Sequence, residues 1–537
     1  MFRLHETIKR CDCCHEIYRS DEPRKLVAHG SRFGFDVLVD VGKSMFVECK
    51  NEKQIQADLK RRNVPISIRH IGYLSKKFIA YLAIAHKESR SKIKDLFCSR
   101  GGYILHLDGT CEGDSPHLMS ALDEIAQIVL DNVKIPSEKA DKIIPFLERI
   151  KERYGIPLAL VHDMGTGILT AVKAVFPGVL DYICHYHFLR DIGSDLYGFE
   201  YARLRGELRK YDIRSFLRKM IKSMEKEIEV SPKLAKSLDG YLKTEGKTGH
   251  VLPAVSAYIL SNWILDANSE LDGYGFPFDR AHHIFYKRLK TAKSMMDNLS
   301  ANQRQDRYIA KLNRMIGRVI RDANLKKVVG RLEEKAAIFD QLRDAMRIGV
   351  SGGKKGLNDD GENADIKAIQ NAVSAFRHSD EVKTAADNDR AYKKMVEQID
   401  KYWEKLFADP IMVTTANGEQ IWILPQRTNN ILERFFRDLK RMYRSKSGTR
   451  SLNKVIKAML VDTPLVKNLS KPEYVEIILN GHNTLEERFA EIDEKLVREQ
   501  MKSNEAERNM SPAMKKVLRK PGFTSLLGKR FRTSATS

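Results

Sequence analysis

YILHLDGT at residues 103–110 is a short apolar run ending in Asp108 and a glycine-bearing turn, and PLALVHDMG at 157–165 repeats the plan with Asp163. Each reads as a buried strand whose final carboxylate leaves the core yet keeps a rigid support. Around them, PHLMSALDEIAQIVLDNVKI (116–135) reads as two strands meeting near Asp123, and IIPFLERIKERYG (143–155) as a helix closed by Gly155. TGILTAVKAVF (166–176) reads as a second helix and VLDYICHYHF (179–188) as a last strand. The sequence thus predicts an α/β layer in the order strand, strand, strand, helix, strand, helix, strand. Such layers place their ligands at loops leaving the carboxyl ends of neighbouring parallel strands, so Asp108 and Asp163 are expected side by side.

From about 195 to 408 helical periodicity dominates, broken by the polar, glycine-containing GVSGGKKGLNDDGENAD at 349–365, which reads as a mobile loop. PIMVTTANGEQIWILPQ (410–426) reads as a hairpin turning at Asn417 and Gly418. Its Trp422 is expected in the core, with stacking on an unpaired base as the alternative. A strong helix follows from about Thr428, with Leu432, Phe436, Leu439 and Tyr443 as its buried stripe. Glu433, Arg437, Lys440 and Arg444 share a neighbouring face. Arg427, Arg434, Arg441, Lys446 and Arg450 crowd the same region, where a phosphate track would pass.

Toward the amino terminus, FDVLVDVGKSMFVECK (35–50) reads as a hairpin around Gly42. EKQIQADLKRR (52–62) and IRHIGYLSKKFIAYLAIAH (68–86) carry Ile55, Leu59, Ile71, Leu74, Phe78 and Leu82 at helical spacing, with Ser67 as N-cap of the second helix. This is a helix-turn-helix pattern whose second helix would expose Arg69, His70, Tyr73, Lys76 and Lys77 to a DNA groove. An ordinary helical hairpin with a solvated basic face gives the same pattern.

Lys and Arg total 93 against 71 Asp and Glu, a net charge of +22 over 537 residues, which favours nucleic acid as partner. Seven cysteines in no framework spacing point to a reducing compartment. The most apolar stretch, VLPAVSAYILSNWIL (251–265), is interrupted by polar residues, so no export signal or membrane span is expected. Cys11 and Cys14 have the spacing of a zinc knuckle but lack a second pair; His15, His29 or Cys49 are the further ligands available. Cys184 and His187 alone cannot close a zinc site, and on a strand His185 and His187 would share a face, so a packed, hydrogen-bonded role is expected.

Two strand-end carboxylates completed by a third acid can hold two divalent cations about 3.5–4 Å apart, one at the attacking and one at the leaving oxygen of a phosphodiester. Taken singly, Asp108 and Asp163 are explained by turn chemistry and Glu433 by helix ion pairing. Taken together, LHLDGT (105–110), LVHDMGTG (160–167), CHYH (184–187) and RTNNILERFFRDLKR (427–441) resemble the DDE transposases of bacterial insertion sequences and the related Mutator-like group, over about residues 30–470. The resemblance implies a ribonuclease-H-like core split by an all-helical insertion. It implies that Asp108, Asp163 and Glu433 bind two Mg²⁺ or Mn²⁺ ions, that metal-bound water cuts a strand at the element's end, and that the freed 3′ hydroxyl attacks target DNA. It also gives Cys184 and His187 a part in positioning DNA or supporting the site.

The expected organisation is an N-terminal DNA-binding module (1–98), a first part of the core (99–195), the insertion (196–408), a second part with the Glu433 helix (409–475) and a helical, basic, partly disordered tail (476–537). The expected partners are double-stranded DNA, as terminal inverted repeats and target, and further copies of the chain in a synaptic complex, in the cytoplasm with the nucleoid. Two rivals remain: a domesticated DNA-binding protein, and a metal-dependent nuclease without strand transfer.

Overall fold

The computed structural model describes residues 8–18, 22–28, 30–247, 251–350, 353, 357–358, 365–506, 514, 517–518, 520–525 and 527–528. The chain divides into two compact units: residues 1–182 with 409–537, and 183–408. The inserted unit therefore begins at Ile183, earlier than the 196 that the sequence suggests.

In the first unit a short hairpin, β1 (Lys9–Arg10) and β2 (Ile17–Tyr18), precedes helices α1 (Glu22–Leu26), α2 (Phe35–Phe46), α3 (Glu52–Arg61), α4 (Ile68–Glu88) and α5 (Arg90–Ser99). The expected hairpin around Gly42 is instead the helix α2. Phe35, Leu38, Met45 and Phe46 are buried at helical spacing, and a Cβ on Gly42 would lie 2.2 Å from the Phe78 ring of α4. Gly42 is there for close helix packing, not for a turn. Helix α3 starts in a reciprocal capping box between Asn51 and Gln54, and Ser67 caps α4 by accepting the His70 N–H.

Residues 78–86 of α4 are all buried, and the helix is tied to the chain's far end. His86 Nδ1 lies 2.9 Å from the Tyr474 hydroxyl, and Lys77 Nζ lies 3.0 Å from Glu494. The N-terminal helices thus fold into one unit with the segment beyond 476, where the sequence suggests a separate module and a tail. The helix Glu494–Ala506 lies in that segment; the weakly ordered part expected beyond it falls largely outside the described residues. So does most of the loop expected at 349–365.

The sheet at the centre of this unit comprises β3 (Ile104–Thr110), β4 (His117–Asp123), β5 (Ile128–Ile135), β6 (Ala159–His162) and β7 (Leu180–Ile183), in the spatial order β5-β4-β3-β6-β7. β3, β4 and β5 form an antiparallel meander, and β6 joins β3 in parallel. Helices α6 (Ala140–Tyr154) and α7 (Thr166–Val175) make the crossovers. Leu105, Leu107 and Leu160 enter the hydrophobic core together with Ile143, Phe146 and Ile150. After the inserted unit the chain returns as the hairpin β8 (Ile411–Thr414) and β9 (Gln420–Ile423), turning at Asn417 and Gly418 as expected, and then as the helix Asn430–Ser447.

The second unit is helical from α8 (His185–Lys210) to a last short helix, Trp403–Leu406. The strand expected over 179–188 ends at Ile183, and Cys184 is the N-cap of α8. From there Phe188, Leu189, Ile192 and Leu196 form a buried stripe at helical spacing, which decides the conformation. On a helix His185 and His187 point in different directions, so their expected common face does not exist. No helix among the described residues is long and apolar enough to cross a membrane.

Candidate functional site

Register sets the first two acids equally far beyond one ladder. Ile104 pairs with Ala159, Leu105 with Leu160 and His106 with Val161; Asp108 stands two residues further along, inside β3, and Asp163 two residues further along, just past the end of β6. Side chains alternate along a strand, which puts His106 and Asp108 on one face and Leu105 and Leu107 on the other. Across the antiparallel pairs Ser120 stands opposite Asp108, and Asn132 opposite Ser120. A polar row thus crosses three strands, and within it the Ser120 hydroxyl donates to Asn132 Oδ1 at 2.6 Å.

Each acid accepts an N–H from the residues that follow it, but only Asp163 opens a turn; β3 continues past Asp108 to Thr110, beyond the strand end that the sequence suggests. Asp108 is 4% exposed and its Oδ1 accepts the Gly109 N–H at 2.8 Å. Asp163 is half-buried, and its Oδ1 accepts the Gly165 N–H at 2.9 Å. The first turn of α7 requires glycine at 167, where a Cβ would lie 1.8 Å from the Glu138 carbonyl oxygen. Glu138 adds a fourth carboxylate beside the turn: its Oε1 accepts from His117 Nδ1 at 3.0 Å and would lie 2.7 Å from a Cβ at Gly109.

The third acid comes from a residue 270 positions after the second (433 minus 163), and a polar strut fixes its helix to β3. Asn429, the N-cap of the Asn430–Ser447 helix, donates from Nδ2 to the Leu107 carbonyl at 3.0 Å, and its Oδ1 lies 2.9 Å from His106 Nδ1. The other ring nitrogen, His106 Nε2, lies 2.8 Å from Glu124 Oε2, and the Glu124 carboxylate accepts the Gln426 N–H at 3.1 Å. Glu433 stands one turn after Asn429, whose carbonyl accepts the Glu433 N–H at 2.9 Å. The first turn of this helix therefore starts beside Leu107, the residue before Asp108. Sequence reading missed His106, Glu124, Asn429 and Glu138; the alternation that puts His106 on the face of Asp108 was the available signal.

The basic residues divide. Arg434, Arg437, Lys440, Arg441 and Arg444 are exposed along the Asn430–Ser447 helix. Arg427, expected on the phosphate track, is 6% exposed and belongs to a buried run with Thr428 and Asn429, so it does not present its charge to solvent. On α4, Arg69 and Tyr73 are exposed, and His70 and Lys76 are half-buried. Lys77, expected to face a DNA groove, is 6% exposed and paired with Glu494. The loop after β3 is anchored nearby: the Lys457 ammonium and the Asn453 amide hold the Asp114 carboxyl down to about 2, and the Asn453 N–H and Ser451 hydroxyl keep Glu112 low. Trp422, expected in the core, is 69% exposed and pairs across the hairpin with exposed Met412.

Cys184 and His187 are buried in the second unit. In the N-terminal hairpin the sulfur atoms of Cys11, Cys13 and Cys14 lie within 4.8 Å of one another, so Cys13 joins the expected pair. Hydrogen bonding, first from Cys13 and then from the Cys14 backbone, lowers the Cys11 thiol to about 6. Cys49 points elsewhere, its thiol 3.9 Å from the Val47 carbonyl, and His29 lies outside the described residues.

Carboxylate oxygens are the donor type that Mg²⁺ and Mn²⁺ take. Among the described residues only the three cysteines bring three metal-ligating atoms within 4.8 Å, so Asp108, Asp163 and Glu433 do not form a single-ion cage. Two ions about 3.5–4 Å apart call for a wider set of ligands. No family model matches the chain, and no curated protein matches it.

Proposed function

We propose that this chain is a DNA transposase of the DDE type, with Asp108, Asp163 and Glu433 as the residues that hold two Mg²⁺ or Mn²⁺ ions. The observation that carries the reading is the β3–β6 register, with Asp108 and Asp163 each two residues beyond its last pair, together with the Asn429 strut that starts the Glu433 helix beside Leu107. A sheet order of β5-β4-β3-β6-β7, an antiparallel meander followed by a parallel crossover, supports a ribonuclease-H-like core. The helical unit at 183–408 takes the place of the insertion between the second and third acids.

When bound, the ions supply a nucleophilic oxygen at neutral pH and stabilise the leaving oxygen of the phosphodiester. The chain's own groups do the rest. Asp108 presents its oxygens from within β3 and Asp163 from just past β6, the strut fixes where Glu433 enters, and the exposed cations from Arg434 to Arg444 draw the DNA backbone along the helix. No covalent protein intermediate is required. Action on two DNA ends calls for more than one copy of the chain, working in the cytoplasm on nucleoid DNA. In the same proposal Cys11, Cys13 and Cys14 supply three of the four donors that a structural zinc ion takes in the DNA-binding part.

The test is to find paired inverted repeats flanking the gene, then incubate the protein with those ends, a target duplex and Mg²⁺ or Mn²⁺. Strand cleavage followed by joined products is expected. Open nicks without joining would reduce the reading to a nuclease, and intact DNA with tight binding would reduce it to a DNA-binding protein.

A further inference from the structure

Far along the Asn430–Ser447 helix from Glu433 lies a cavity of about 340 Å³ that the acid site does not use. Its lining includes Gly72 and Lys76 of α4, Tyr443 and Lys446 of the Glu433 helix, and Lys454, all within the first unit. Three ammonium groups stand against one carboxylate, Glu52, so the cavity favours an anion. Lys446 Nζ lies 5.0 Å from the Phe46 ring centre and 5.4 Å from that of Tyr443, which holds its charge at the wall. Gly72 keeps the space open: a Cβ there meets nothing within 4 Å.

The path from the acids to this cavity is itself basic. A helix rises about 1.5 Å per residue, so Tyr443 and Lys446 stand roughly 15–20 Å along the axis from Glu433. Arg434, Arg437, Lys440, Arg441 and Arg444 are exposed between them. A DNA strand advances about 3.4 Å per step, so the same length covers about four to six steps.

We propose that this cavity is a phosphate site that grips the DNA backbone about four to six steps from the bond being cut. The inference rests on the proposed function for the identity of the strand, but its lysines and volume stand independently of the acids. A phosphodiester on a strand and the phosphate of a free nucleotide share this chemistry, and the experiment separates them.

Duplexes of the element end, each with one backbone phosphate replaced by a neutral methylphosphonate, are bound to the full chain over a range of salt. Wild-type protein is expected to lose affinity when the neutral link lies about four to six steps from the cut. The double variant Lys76→Gln/Lys454→Gln is expected to be blind to that replacement, with a slope of log affinity against log salt shallower by about 0.9 for each phosphate the lysines no longer neutralise. Gly72→Glu, which adds a carboxylate in open space and removes a glycine from a helix interior, should weaken binding without lowering the melting temperature. Tight duplex binding with wild-type slope and interference in both variants would overturn the cavity's role and leave the proposed function standing. Lys76-dependent binding of inorganic phosphate or a mononucleotide, by a protein that ignores duplex DNA, would overturn both the strand assignment and the proposed function.

Discussion

The two faces of β3 are equally buried and are built by opposite means. Leu105 and Leu107 are fully buried and join Phe146, Leu147 and Ile150, where apolar neighbours of suitable volume suffice. His106 and Asp108, on the other face, are as inaccessible but polar, so particular partners must meet them. For His106 those partners are Glu124 and Asn429, one from the next strand's end and one from the segment that follows the inserted unit in sequence. The apolar face holds the sheet together; the polar face decides where the third acid arrives.

The comparison breaks first at the acids. Asp108→Asn, Asp163→Asn or Glu433→Gln should remove strand cleavage below detection while leaving melting and DNA binding close to wild type. Normal cutting by any one of them would take that residue out of the site. The strut comes next. His106→Leu or Asn429→Ala should lower cleavage about 10–100-fold, as for the loss of groups that orient metal ligands. Each leaves a buried partner without its hydrogen bond, so denaturant unfolding should show a loss of about 1–3 kcal/mol. Leu107→Ala sharpens the contrast from the opposite face: about 2–5 kcal/mol of stability should go, with turnover by the folded fraction nearly unchanged. Equal activity losses from Leu107→Ala and Asn429→Ala would erase the distinction between the faces.

The effect furthest from the acids is a pH dependence seated in the apolar core. Burial, partly offset by the Leu130 carbonyl, depresses His86 to about 4. The unfolded chain, with His near its ordinary value of about 6.5, then binds the proton more readily than the folded one. This contribution to stability is intact above the ordinary value and declines as pH falls from about 6.5 to about 4. Urea midpoints of wild type and His86→Gln over that range should converge toward acid, since the variant lacks this titration. Parallel curves would show that His86 does not titrate in this way.

Much of the acid-bearing layer was legible because short apolar runs between turn residues constrain conformation, but exposure was not: β3 runs on to Thr110, and Asp108 is 4% exposed where its carboxylate was expected to leave the core. Residues 35–46 were not legible, because Phe35, Val37, Val39 and Val41 satisfy a strand's alternation while Phe35, Leu38, Gly42 and Met45 satisfy a helix. Only the Phe78 ring against Gly42 separates the two. CHYH reads as strand because the apolar run continues through it, yet the helical stripe begins at Phe188. Lys77 and Arg427 show a further limit: each stands in a basic run that reads as solvated surface, and burial is set by neighbours distant in sequence. The His106–Asn429 hydrogen bond was invisible for the same reason, since neither residue signals the other across the inserted unit.

The most direct test is the count of bound Mn²⁺ by electron paramagnetic resonance in wild type, Asp108→Asn, Asp163→Asn and Glu433→Gln, each with duplex present. Two ions are expected in the wild type, with weakened or lost binding in every variant. Mn²⁺ binding that is unchanged by Asp108→Asn and Asp163→Asn would contradict this.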